Sequence, residues 1–256
     1  MKKITSLIIF CFIIFTATAQ RDTVYLSADN IQTNVLKPSI NQYLVYFKNG
    51  KDSSRTGYQF WTRIMDTINY NGKKAISIKQ VWENNDTIFH TTFSVCDAKT
   101  FLPLYQDAWW KSFGNLKFDF IKREAEVLNH PLTENDTAAY RKRMWSAFEK
   151  ATTREEYNWH LDLEIFSTLP FRDGNTYGIN FYDPGQSEPQ IQYYTISGSG
   201  LLKEFNDRQT ECWLLTHGKE GNRETFWISK KTKEILKLEQ EANGKFRYKI
   251  KLPFAS

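Results

Sequence analysis

A chain of 256 residues with 34 Lys+Arg against 29 Asp+Glu carries a net charge of +5, and 16% of its residues are aromatic. The surplus is small and scattered, which argues against the clustered basic face of a nucleic-acid binder. Three cysteines exclude a disulfide framework, and without a Cys-x-x-Cys pair or a His-Glu-x-x-His run no metal or cofactor is expected.

The chain opens on Met1-Lys2-Lys3, an apolar run Ile4–Phe15 and the small residues Ala17 and Ala19. This is the pattern of a secretory signal peptide, residues 1–19. The run falls short of the roughly 20 residues a bilayer span needs. Cys11 lies inside it with no small residues ahead, so a lipid anchor is not expected. Cleavage after Ala19 removes two lysines and takes the net charge from +5 to +3. The mature chain, 20–256, has no further apolar run long enough to cross a membrane and no Pro/Gly/Ser linker. It is expected to be one β-rich domain, exported and periplasmic or associated with the outer envelope.

Residues 20–42 read as irregular, with Pro38 blocking a helix. Strands are expected at Tyr43–Phe47, Tyr58–Asp66, Ala75–Trp82 and Thr87–Val95. Asn71-Gly72 is a strong hairpin signal, and Glu83–Asp86 makes the next turn. In the strand Thr87–Val95 the residues Phe89, Thr91, Phe93 and Val95 share one face. Further strands near Tyr105–Trp110 and Asn115–Glu124 complete an antiparallel meander. Asp136–Ala151 is the one helix expected: Tyr140, Met144, Ala147, Phe148 and Ala151 share a face, and Asn135 or Asp136 can cap its start.

Trp159–Phe166 alternates apolar and polar residues and reads as a strand, followed by a turn at 169–174. Tyr177–Tyr182 and Gln190–Ser197 extend, and Ser197-Gly198-Ser199-Gly200 reads as a loop before a short strand Leu201–Phe205. Cys212–Thr216, Glu224–Ser229, a run through Leu236 and Leu238, and Lys245–Leu252 form a final meander with a turn at Ala242-Asn243-Gly244. In the last strand Phe246, Tyr248, Ile250 and Leu252 are expected on the dry face, and Lys245, Arg247, Lys249 and Lys251 on the wet one.

The chemistry-bearing sets are few. His160, Asp162 and Glu164 would share one face of a strand and could hold a cation or form an acid–base pair; the alternative is an ordinary solvated face. Ser197–Gly200 lacks the glycines of a nucleophile elbow. His90, His130 and His217 have no partner pattern and read as surface or turn residues. Cys96 and Cys212 read as two buried thiols rather than a bridge. Adjacent strand residues Trp109 and Trp110 face opposite sides, so one of them is available to a ligand or a second layer. On the preference of pockets for aromatic linings, Trp82, Trp109, Trp110, Phe181, Tyr193 and Trp227 are the expected ligand contacts.

Three stretches then carry a resemblance: Val95-Cys96-Asp97-Ala98-Lys99-Thr100-Phe101-Leu102-Pro103-Leu104, Leu163–Phe171, and Glu224–Ser229 leading into Lys237-Leu238-Glu239. Together they resemble exported bacterial proteins of unknown function that look related to the LolA/LolB-like lipoprotein carriers of the envelope. The resemblance implies a curved antiparallel sheet around helical cover with an apolar cavity, and it brings no catalytic residues.

The expected fold is therefore mainly β: a single strongly curved antiparallel sheet, a half-barrel or open barrel, packed on one amphipathic helix. The expected function is non-catalytic, the binding of an apolar or lipid-like small molecule in the concavity. The alternatives are a fully packed structural or interaction protein with an envelope partner, and a hydrolase using Asp162 and Glu164.

Overall fold

The computed structural model describes residues 23–203 and 208–253, so the expected signal peptide and Phe205 of the expected strand Leu201–Phe205 lie outside the described residues. The first half comprises β1 (Thr23–Tyr25), β2 (Ser39–Asn49), β3 (Thr56–Tyr70), β4 (Lys73–Asn84) and β5 (Thr87–Asp97). Then come β6 (Pro103–Trp110), β7 (Gly114–Asp119), β8 (Glu124–Val127), β9 (His130–Leu132) and helix α1 (Ala139–Thr152). The second half runs through β10 (Tyr157–Asn158), a 3-10 turn Trp159–Leu161, helix α2 (Asp162–Ser167) and β11 (Thr176–Tyr182). It ends with β12 (Gln190–Lys203), β13 (Gln209–Lys219), β14 (Asn222–Ser229), β15 (Ile235–Ala242) and β16 (Lys245–Leu252).

All these strands belong to one sheet, ordered β1-β11-β12-β13-β14-β15-β16-β2-β3-β4-β5-β6-β7-β8-β9. Neighbours are antiparallel except the short β1 and β10, which both run parallel to β11. The first and last strands of this order do not pair with each other, so the barrel is open. Its two long meanders meet where β16 pairs β2, with Tyr248 opposite Tyr46 and Lys249 opposite Val45.

The hairpins follow from their turn residues. Asn71 and Gly72, Asn85 and Asp86, and Asn243 and Gly244 all have positive φ, as a type I′ turn demands. The Ser197–Gly200 stretch is not a loop: it lies inside β12, where the register to β13 shifts between Ile196 and Ser199.

Curvature can be read from α2. Phe166 packs its ring against Phe181 of β11, Tyr194 of β12 and Phe226 of β14, while Glu164 binds Arg63 of β3. In a flat sheet β11 and β3 would stand about 34 Å apart, seven spacings of about 4.8 Å. One six-residue helix reaches both because the sheet wraps around it.

Two expectations about helices are corrected. Trp159–Phe166 is not a strand but the 3-10 turn and α2. Asn158 accepts from His160 N to start the turn, and Asp162 and Glu164 occupy the first turn of α2, where negative charge suits the helix amino end. Leu161, Leu163, Ile165 and Phe166 are buried by the surrounding sheet rather than by one face of it. The helix expected over 136–151 is α1, but it starts at Ala139 and its N-cap, Ala138, offers no side-chain bond. Asp136 instead accepts from Thr133 N and pairs with Arg141. Its Ala147, Phe148 and Ala151 pack with Leu116, Phe118, Val127 and Tyr182 in a satellite core at the β6–β9 end. The sheet therefore curves around α2 at its main core, and α1 closes one end.

The expected faces of one strand are inverted, and a second strand turns a polar row inward. In β16 the inward residues are Arg247 and Lys249, and Tyr248 faces outward, stacked on Tyr46. In β5 the buried row is His90, Thr92 and Ser94, while Phe93 is exposed. Both strands alternate, but in each a polar row lies inside the barrel, His90 against His160 of the 3-10 turn and Arg247 and Lys249 beside Trp61.

Candidate functional site

The centre of the concave side is a buried polar network on Arg63. Cross-strand pairing sets Arg63 opposite Gln80 and Trp61 opposite Trp82, all pointing inward. The Arg63 guanidinium donates through Nε to Glu164 Oε1 at 2.9 Å, and its Nη2 pairs with Glu164 Oε2. It also donates to Gln80 Oε1 and to the His160 carbonyl, each at 2.8 Å. Gln80 Nε2 donates to the same carbonyl at 2.6 Å, and Asp162 stands 3.9 Å from Nη1. Burial works against the charge on Arg63, but the Glu164 carboxylate outweighs it and its pKa is raised.

Asp162 and Glu164 thus come together on Arg63 through helical rather than strand geometry, whereas His160 joins them only by its backbone carbonyl and turns its imidazole to Asp183. Both carboxylates are turned to Arg63, so they do not stand as a free acid–base pair. Among the described residues no three His, Cys, Asp or Glu side chains gather in a metal-holding arrangement.

Beside this network lies an aromatic and imidazole cluster. Trp61 and Trp82 stack with ring centroids 3.7 Å apart, and Trp82 meets His90 edge-on at 4.4 Å. His90 stacks on Trp110 at 3.6 Å and lies 5.4 Å from the His160 ring. Far from being a surface residue, His90 is fully buried, its Nδ1 bonded to the Trp109 carbonyl at 2.9 Å. Burial, and then the neighbouring His160, hold its pKa down at about 3. His160 Nε2 lies 3.2 Å from Asp183 Oδ1. His217 also faces inward against Tyr194, whereas His130 is exposed as expected.

A cleft of about 310 Å³ opens between the segment Val35–Ser39, α2 and the start of β15. Leu36, Pro38, Met65 and Leu163 give it apolar wall, and Asn41, Tyr43, Glu164 and Glu234 give it polar wall. Tyr43 donates its hydroxyl to the Ile235 carbonyl at 3.3 Å.

The six aromatic residues expected at a ligand divide by face. Trp82 and Trp110 are inward and half-buried, and Phe181 is inward and sealed in the core against Trp159 and Phe166. Trp109 alternates with Trp110 and faces out. Tyr193 packs on Tyr25 on the convex side, and Trp227 lies outside against Gly200 with its Nε1 bonded to Glu239. They do not share one cavity. Arg63, Lys249 and His90 hold the interior, although alternation puts Lys249 on a wet face and the lack of a partner pattern puts His90 at the surface; the signal for Arg63 and Lys249 is a charge alternating with aromatic residues in a long strand. Cys96 and Cys212 are both buried, and Cys212 Sγ donates to the Thr210 carbonyl.

No curated protein matches the sequence. Among solved structures, a beta-barrel-like protein of domain of unknown function DUF1849 from Brucella abortus is similar with TM-score 0.39 and 8% identity, over 85% of this chain and 96% of that one. The hypothetical lipoprotein YmcC from Escherichia coli gives TM-score 0.30 and 12% identity over 83% and 87%. A domain assigned to outer membrane lipoprotein sorting, from Vibrio parahaemolyticus, gives 0.24 and 9% over 85% and 84%. At the level of sequence, residues 42–251 match the family described as "Protein of unknown function (DUF3108)", and the chain belongs to that family.

Proposed function

We propose that the chain is an exported, non-catalytic envelope protein, a single β-rich domain behind a cleaved leader, that binds an apolar or lipid-like ligand on the concave side of its sheet. The observation that carries this reading is the cleft beside α2. Its volume of about 310 Å³ is at the lower end of ligand pockets, which run from roughly 300 Å³ upward. Its lining holds both apolar and polar side chains, which suits an amphipathic chain. Tyr43 is the aromatic residue in its wall; Trp82 and Trp110 lie outside its lining, against His90.

The test is displacement of a fluorescent fatty-acyl probe from the purified protein, alongside native mass spectrometry of protein taken from its own host. Saturable probe binding that is lost in Met65→Trp, which fills the cleft, is the expected result. No probe binding and no co-purifying apolar mass would end the reading.

A second reading, a packed structural or interaction protein, is favoured by a specific observation. The seat of the sheet is already filled by α2, while Tyr25, Ile191 and Tyr193 stay exposed. If the probe fails to bind, loss of an envelope partner on Tyr193→Ser would support this second reading.

A further inference from the structure

The basic row of β16, which sequence alternation assigns to solvent, points into the barrel. Lys249 is only 3% exposed, and the partner its ammonium has is the face of Trp61 at 4.5 Å. Arg247, two residues earlier on the same face, lies 5.9 Å from the same ring, and its Nε is buried with no acceptor. Among the described residues neither cation belongs to an ion pair, although Lys251 further along the strand pairs with Glu234.

The nearby acids are already committed. Asp162 faces Arg63 and accepts from Leu163 N. Glu224 accepts from Gln240 Nε2 at 2.6 Å, and burial pushes its carboxyl up toward the neutral form, against the pull of Arg247. A buried cation without a hydrogen-bonded counter-charge is costly, and burial holds Lys249 down at about 8. Two such cations thus lie over one indole ring with no carboxylate hydrogen-bonded to either among the described residues.

The position relative to the cleft matters. Tyr43, in the cleft wall, is the cross-strand partner of Trp61 on β3 and of Lys251 on β16. One inner-face step therefore separates the cleft from the ring under Lys249.

We infer that Lys249 and Arg247, over Trp61, form an acid-recognition site that takes the carboxylate or phosphate group of an anionic ligand on the concave side. Where that acid is the head of a lipid-like molecule, the inference rests on the function proposed above. Where it is a free anion, the site stands without it.

The experiment compares dodecanoate, dodecanol and inorganic phosphate on the purified protein by calorimetry, with Lys249→Met and Arg247→Gln as variants. NMR of the lysine side chains follows Lys249 during the phosphate titration. A charge-assisted hydrogen bond predicts that dodecanoate binds roughly tenfold or more tighter than dodecanol. In Lys249→Met that preference should vanish while dodecanol binding is unchanged. Phosphate that shifts the Lys249 signal, with neither amphiphile binding, upholds the acid site and removes the lipid-like ligand. Equal binding of dodecanoate and dodecanol in the wild type overturns the acid site and leaves the lipid-like ligand standing. No binding of any of the three overturns both. Lys249→Met should melt at or above the wild-type temperature, because it removes an unpaired buried charge. If that variant does not fold, Arg247→Gln is read instead, and a retained preference for dodecanoate there overturns the site.

Discussion

At the residue scale the interior is governed by whether each buried charge has found its partner. Arg63 has found Glu164, Gln80 and the His160 carbonyl. Removing one side of a buried pair leaves the other uncompensated, so Arg63→Leu should cost about 3–5 kcal/mol in urea unfolding. The double variant Arg63→Leu with Glu164→Leu should recover much of that loss; if it is as unstable as the single one, the pair is not what holds α2. His90 supplies a pH dependence. Its folded pKa is held at about 3, below the roughly 6.5 of an exposed imidazole. The unfolded chain therefore takes up a proton that the folded chain refuses once pH drops below about 6.5. This contribution is full above that pH and is lost as pH falls toward 3, at up to about 1.4 kcal/mol per pH unit. Chemical denaturation at pH 7 and pH 5 should show the loss in wild type and a smaller one in His90→Phe.

At the element scale α2 is the organising piece, although it is only six residues long. An isolated helix of that length would not form in water, so its stability comes from the ring of strands around it. Phe166→Ala should accordingly cost about 3–5 kcal/mol, read as a fall in urea midpoint. Hairpin glycines make a second element-scale prediction. A Cβ on Gly218, which has φ +82, would lie 2.1 Å from the Asn222 carbonyl oxygen, whereas one on Gly72 meets nothing within 4 Å. Gly218→Ala should lower the melting temperature well beyond Gly72→Ala, whose cost is left-handed backbone strain of about 1–2 kcal/mol. Equal losses would mean that the β13–β14 hairpin relaxes around the clash.

At the scale of the whole molecule the pairing of β16 with β2 joins the two meanders, linking residues near the carboxyl end to strand residues some 200 positions earlier. A chain cut before Lys245 should lose the cooperativity of unfolding, because β2 and β15 become unpaired edges. Hydrogen exchange should then show fast exchange on both sides of the gap; unchanged protection of β2 would refute this. Edges of the complete sheet are kept short: β1 and β9 have three residues each.

Much of this architecture was legible in the residues. Asn71-Gly72 and Asn243-Gly244 demand tight hairpins, Lys245–Leu252 alternates over its whole length, and the stripe Ala147, Phe148, Ala151 places a helix. Local backbone preference and period are enough for such statements, because they depend on near neighbours. What alternation leaves open is which face looks inward, since a period of two reads the same from either side. Only the curvature of the open sheet decided that, by bringing Trp61 under Lys249 and α2 against Arg63, so that Arg63 gains the Glu164 carboxylate. The same enclosure turned Trp159–Ser167 from an alternating run into helical structure, since a short segment surrounded by strands on several sides buries most of its residues only when coiled.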